Sequence, residues 1–167
     1  MASTRVLSGV VDRARWRNTL MYRFTPSFQA GLEYNPRADE LGPLVNWRLL
    51  EETGDRPAFI VGTSSDRIGT PSGRAYYATF SKDLQERTGL PVAPYFGASY
   101  GTYEDNVKPI GGLTIRYTEQ LSSTHLHDGK AIHHMLGWDF GPGKPTLGLL
   151  WVDHQHLGFT ASLGFSF

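Results

Sequence analysis

The side chains best suited to chemistry lie in the last third of the 167-residue chain. All six histidines fall there: His125, His127, His133, His134, His154 and His156, with Asp128 and Asp153 beside them. Residues two apart on an extended strand face the same way, so His-x-His puts two imidazoles on one side, as a transition metal requires. A tetrahedral site needs converging ligands, which this spacing does not supply. The histidines are therefore expected at turns and near a surface, not on a metal. Ser123 stands two residues before His125, with Asp128 close behind. A nucleophile, a base and an acid are the set for acyl transfer. That set works only when a third group holds the base within hydrogen-bond reach, and closeness in sequence does not ensure this. No catalytic residue is expected.

Other motifs are weaker. Gly62-Thr-Ser-Ser-Asp-Arg-Ile-Gly-Thr-Pro-Ser-Gly73 has the small residues of a phosphate loop. It lacks the Gly-Lys-Ser/Thr ending and a following helix, so it is expected to be a turn. There is no cysteine, which excludes disulfides and thiolate metal sites. With 16 basic and 16 acidic side chains the net charge is zero, so no nucleic acid partner is expected. No cofactor is expected.

What must position these residues is a set of strands. Leu20, Tyr22 and Phe24 alternate with Thr19 and Arg23, and Phe28, Ala30, Leu32 and Tyr34 with Gln29, Gly31 and Glu33. The same period-two pattern returns in Val45, Trp47 and Leu49 against Asn46 and Arg48. It returns again in Leu113, Ile115 and Tyr117 against Thr114 and Arg116, and in Leu136 and Trp138 against Gly137 and Asp139. Leu147, Leu149 and Trp151 follow it less cleanly. Strand residues alternate between faces, so each strand has one apolar and one polar face. A helix would mix the two sets around its circumference. The apolar face is expected to point outward and to carry Trp47, Trp138 and Trp151. Arg23, Glu33, Asn46, Arg48 and Arg116 are expected to line a polar interior, opposite charges pairing there.

Turn signals separate the runs: Asn35-Pro36, Thr53-Gly54-Asp55, Thr70-Pro71-Ser72-Gly73, Asp128-Gly129 and Gly141-Pro142-Gly143. About eleven strands follow from residue 16 onward. A closed antiparallel barrel needs an even number, so ten or twelve are expected. Residues 16–167 form one barrel domain on this pattern. Residues 1–15 supply either the twelfth strand, from Thr4 to Asp12, or a short amphipathic segment that plugs or flanks the barrel. Leu20-Met-Tyr-Arg-Phe-Thr25 also echoes Leu113-Thr-Ile-Arg-Tyr-Thr118. The longest apolar run, Leu147 to Val152, is far short of the ~20 residues of a membrane helix. The first residues, MASTRVLSGVVDRARW, show no long apolar segment before a cleavage site, so no secretory signal is expected.

The last ten residues carry the most specific pattern. Phe159, Ala161, Leu163, Phe165 and Phe167 share one face, and Thr160, Ser162, Gly164 and Ser166 the other. This resembles the C-terminal strand of bacterial outer-membrane β-barrel proteins, which ends on an aromatic with apolar residues at alternate positions. The resemblance implies an up-and-down barrel of outer-membrane type, located in the bacterial outer membrane or at the cell exterior. It implies recognition of the Phe167 strand by the barrel-insertion machinery. The apolar skin is then covered by membrane lipid or by other copies of the chain, in the latter case as a filament. A structural, non-catalytic role is expected; a narrow passive pore and a lipid-modifying enzyme are the alternatives. Lipid-cleaving enzymes of that class use a serine and a histidine with an acidic partner, but their motifs are not matched here.

Overall fold

The computed structural model describes residues 1–164; Phe165 and Phe167 lie outside them. Twelve strands follow one another: β1 (Ala2–Leu7), β2 (Trp16–Arg23), β3 (Phe28–Asn35), β4 (Glu40–Leu50), β5 (Ala58–Ser65) and β6 (Arg74–Ser81). The second half holds β7 (Val92–Gly101), β8 (Asn106–Arg116), β9 (Leu121–His127), β10 (Ile132–Asp139), β11 (Pro145–Val152) and β12 (His156–Leu163). Two single helical turns interrupt the series, α1 (Asp12–Arg15) and α2 (Gln85–Thr88). Every strand pairs antiparallel with its sequence neighbours, and β12 closes on β1 through Ala2↔Leu163 to Leu7↔Gly158. Closure leaves no hydrogen-bonding edge.

The N-terminal segment divides. Its strand begins earlier and ends sooner than the Thr4–Asp12 expectation, because Gly9 turns the chain at φ +71° with His156 packed where a Cβ would stand. The remainder forms α1. Since β1 pairs with both β2 and β12, residues 1–15 belong to the barrel and not to a separate segment.

This topology puts both ends of the barrel wall, Ala2 and Leu163, at one end, here the terminal end. The β1–β2, β3–β4, β5–β6, β7–β8, β9–β10 and β11–β12 connections lie at the other. That second end is capped. α1 folds back over the lumen, and Leu7, Val10, Ala14 and Val152 form a small buried core, with Ile68 and Leu150 packed against it. Arg13 fastens the cap to the β5–β6 loop. Its Nε donates to Thr70 O (2.9 Å), and its Nη2 to Asp66 O (3.0 Å), Arg67 O (2.7 Å) and Thr70 Oγ1 (2.8 Å). A buried guanidinium is tolerable only when its donors find acceptors, and four carbonyl or hydroxyl oxygens supply them to Nε and Nη2.

The echo between Leu20–Thr25 and Leu113–Thr118 has a structural meaning. Thr25 Oγ1 accepts from the amides of Ser27 and Phe28, and Thr118 Oγ1 from those of Gln120 and Leu121. Two hairpins at the terminal end thus use one threonine-capped turn, with the hydroxyl replacing a backbone acceptor. At the same end β4 bulges between Arg48 and Leu50, leaving Leu49 and Leu50 both exposed.

Candidate functional site

The outer wall is the dominant surface. Register places Leu20, Leu32, Val45, Val61, Leu113 and Leu149 at mid-height, all facing outward. Leu20 and Phe159 are 62% and 68% exposed, far more than apolar side chains in a solvated monomer core. Aromatic side chains gather above and below. Tyr22, Phe28, Trp47, Phe80, Tyr117 and Trp138 ring the terminal end; Trp16, Tyr34, Tyr76, Tyr100 and Trp151 ring the capped end. Neighbouring rings meet across the strands, as in Phe59–Phe80 (centroids 4.7 Å) and Phe28–Trp47 (6.2 Å). Of the residues expected outward from alternation, those within strands as far as residue 164 stand on the wall, and Phe24 and Tyr117 lie exposed in the turns just beyond β2 and β8. Ile115 and Leu113, paired with Ser123 and His125 of β9, are partly covered.

The interior is divided by height. Near the capped end Glu33 is 1% exposed and accepts from Arg17 Nε (2.7 Å) and Arg74 Nη1 (2.7 Å). Arg74 also reaches Pro43 O, across the position where a Cβ on Gly42 would collide with it. Arg17 and Arg74 were not anticipated as partners. Arg74 comes from β6, and no local pattern relates it to β3. A cavity of about 180 Å³ is lined by Asp66, Tyr77, Tyr95, Lys108 and Asp128 among others. At the terminal end Arg23 and Asn46 face inward by register yet are exposed, so this half of the lumen is open to water instead of filled. Arg48 and Arg116 face inward too, but as rim braces. Arg48 binds Pro26 O and Glu51; Arg116 Nη2 binds both Asp83 oxygens (2.9 and 2.8 Å).

The apolar rule outside is broken most heavily on β9. The outward face of β9 is Leu121, Ser123, His125 and His127, since these pair with Ile115, Leu113 and Gly111 on β8 and with Trp138, Leu136, His134 and Ile132 on β10. A hydrogen-bonded track results. Tyr117 Oη and Ser123 Oγ are 2.9 Å apart, Ser123 Oγ and His125 Nε2 3.1 Å, and His125 Nδ1 and His134 Nδ1 2.7 Å. His134 packs on Trp151 and His154, with ring centroids at 6.0 and 5.1 Å. Ser123 is 6% exposed.

The histidines separate by parity. His133 and His134 are consecutive, so they must face opposite ways. His133 points inward, is buried, and its Nε2 lies 2.9 Å from Asp128 Oδ2. Its Nδ1 accepts from the Asp153 amide (3.3 Å), so Nε2 carries the proton given to Asp128. Burial pushes the Asp128 carboxyl up, but hydrogen bonds from His133 and the Ala131 and Lys130 amides outweigh it and hold the group below its ordinary range. Asp128 is thus not the partner of Ser123 and His125. Its β9–β10 turn carries it to the inside, and His134 takes the place behind His125. Among the described residues no three His, Cys, Asp or Glu side chains converge as a metal site.

The capped-end turns carry their own ion pairs. Glu104 accepts from Arg67 and from Lys108, chiefly the former, which holds its carboxyl down to about 2 from an ordinary 4.5. A depressed carboxylate stabilises the fold above its unfolded value, and this contribution is lost as pH falls through the folded one. Urea midpoints followed downward in pH should therefore drop between 4.5 and about 2. Glu104→Gln should flatten that part of the profile. An unchanged profile would mean the two bonds do not form in solution.

No helix is long and apolar enough to cross a membrane, a statement that does not bear on strands. No family model, curated protein or solved structure matches the chain.

Proposed function

We propose that this protein is a lipid-embedded barrel of outer-membrane type, with its interior and cap serving to hold the wall. The observation that carries this is the apolar belt that encircles the barrel between two aromatic levels, broken chiefly by the polar outward face of β9. Aromatic girdles at both edges of an apolar band are how membrane barrels meet the two interfaces. Copies of the chain would cover such a belt from one or two directions. A belt that goes round the whole barrel asks for a medium that surrounds it, which favours lipid over a filament. The α1 cap and its Arg13 clasp favour a scaffold over an open pore.

Most strands have eight residues, though β4 and β8 reach eleven. At ~3.3 Å per residue and a tilt near ~40°, eight residues rise only about 20 Å, less than the ~25 Å band of outer-membrane barrels. The barrel should therefore prefer thin bilayers. Refolded protein is expected to float with dilauroyl phosphatidylcholine vesicles, and to insert more slowly into dioleoyl vesicles. A monodisperse barrel that stays in the aqueous fraction with both lipids would overturn the proposal. Lipid-independent polymers would return the filament.

A further inference from the structure

We propose that Ser123, His125 and His134 form an acyl-transfer site on the outer wall, and that it hydrolyses the carboxylic esters of lipids lying against β8–β10. This rests on the lipid-embedded reading for its substrate, but the chemistry rests on the track itself.

The three contacts admit two proton orders, and one of them activates Ser123. In that order the Tyr117 hydroxyl donates to Ser123 Oγ, the Ser123 hydroxyl to His125 Nε2, and His125 Nδ1–H to His134 Nδ1, over 2.9, 3.1 and 2.7 Å. A serine whose proton is accepted by an imidazole, itself held by a third group, is the arrangement of an activated nucleophile. A polar group turned to an apolar medium costs free energy unless hydrogen-bonded. Isolated hydrogen bonds would meet that need. A continuous chain of three contacts that joins a serine to two imidazoles is more than satisfaction requires, and β9 gives up most of its apolar outward face to hold it.

The surroundings suit a lipid ester. Ser123 lies two residues inside the terminal-end rim, about 7 Å of strand, a depth at which a lipid ester meets the wall. Its cross-strand neighbour Leu136 also walls an apolar groove of about 450 Å³, with Leu121, Trp138, Leu147, Leu149 and Phe159, suited to an acyl chain. Strand amides are engaged in the ladder, so the donor available to a developing oxyanion is the Tyr117 hydroxyl at Ser123 Oγ. Tyr117 covers Ser123 but is 55% exposed and closes a turn, so it is placed to yield to an incoming carbonyl.

The steps balance. Ser123 Oγ bonds to the ester carbonyl carbon as its proton passes to His125 Nε2. The carbon–oxygen bond to the alcohol breaks, and that alcohol leaves with the proton from His125. Water then attacks the acyl-serine and gives a proton to His125. The carboxylic acid departs, and the proton returns to Ser123. Ser123, His125 and Tyr117 touch the reacting atoms; His134 is a positioning residue that holds the His125 ring and tautomer.

The test uses the full-length refolded barrel. A fluorophosphonate probe in detergent micelles reads the nucleophile without needing bilayer insertion. Dilauroyl phosphatidylcholine vesicles then read fatty-acid release by mass spectrometry. One probe adduct, mapped to Ser123 by peptide sequencing, is expected. It should be absent in Ser123→Ala, slowed about a hundredfold or more in His125→Ala, and unchanged in Ser122→Ala, whose residue faces the lumen. His134→Leu should slow it strongly, and His134→Asn, whose amide oxygen still accepts from His125, should restore most of the rate. A folded barrel, verified by its circular dichroism, that takes no label at Ser123 overturns the site. Labelling in micelles without vesicle flotation keeps the site and overturns the membrane reading. Flotation without either label or ester cleavage does the reverse.

Discussion

Glu33→Gln should lower the unfolding free energy of the barrel by about 3–5 kcal/mol, the range for breaking a buried ion pair from one side. The substitution preserves volume, so no cavity contributes. What changes is that Arg17 and Arg74, with side chains 22% and 18% exposed, lose the carboxylate between them. Arg5 lies on the same inward face, paired in register with Arg17, and adds a further like charge. Three guanidinium groups would then share a low-dielectric corner beneath the cap. By contrast, Arg23→Gln at the water-filled terminal end should cost under about 0.5 kcal/mol. Urea titrations in detergent, followed by circular dichroism, compare the two. Similar midpoints for both variants would mean that the Glu33 network is not what holds the capped half together.

A charge placed on the outer wall should be costly in proportion to its depth. Leu32 faces outward at mid-height, in register with Leu20 and Pro43, and is 51% exposed. Phe140 follows β10 at the rim of the terminal end and is 47% exposed. Similar exposure separates depth from burial. In thin vesicles Leu32→Arg should cost about 2–4 kcal/mol and Phe140→Arg about 0–1, because only the former takes a guanidinium into hydrocarbon. Covering by other copies of the chain would follow the contact geometry and not the height. Equal costs at the two levels would therefore count against lipid. The experiment is independent of Ser123 chemistry, since neither residue touches the Tyr117–His134 track.

How much of this was open to inspection in the amino-acid order differs by residue. The faces of the strands were legible, because successive side chains on extended backbone alternate whatever the neighbours do. That local rule puts Leu20, Tyr22, Trp47 and Trp138 outside and Glu33 and Asn46 inside. The evenness of twelve strands is also a closure rule, not a packing result. Even the split of His133 from His134 lies in the parity of adjacent residues. The period-two rule, however, says which face a side chain takes and not what stands opposite. Opposition is set by register, which depends on hydrogen bonds between strands and on the length of each turn. Only there does His134, nine residues away, come to stand behind His125, while Asp128, three residues away, is carried inside to His133. Only closure brings Arg74 of β6 to Glu33 of β3, and only the fold of residues 8–15 places Arg13 over the lumen. Alternation decided the wall because it is local. The track, the buried ion pairs and the cap belong to tertiary structure because each joins groups that no single strand contains.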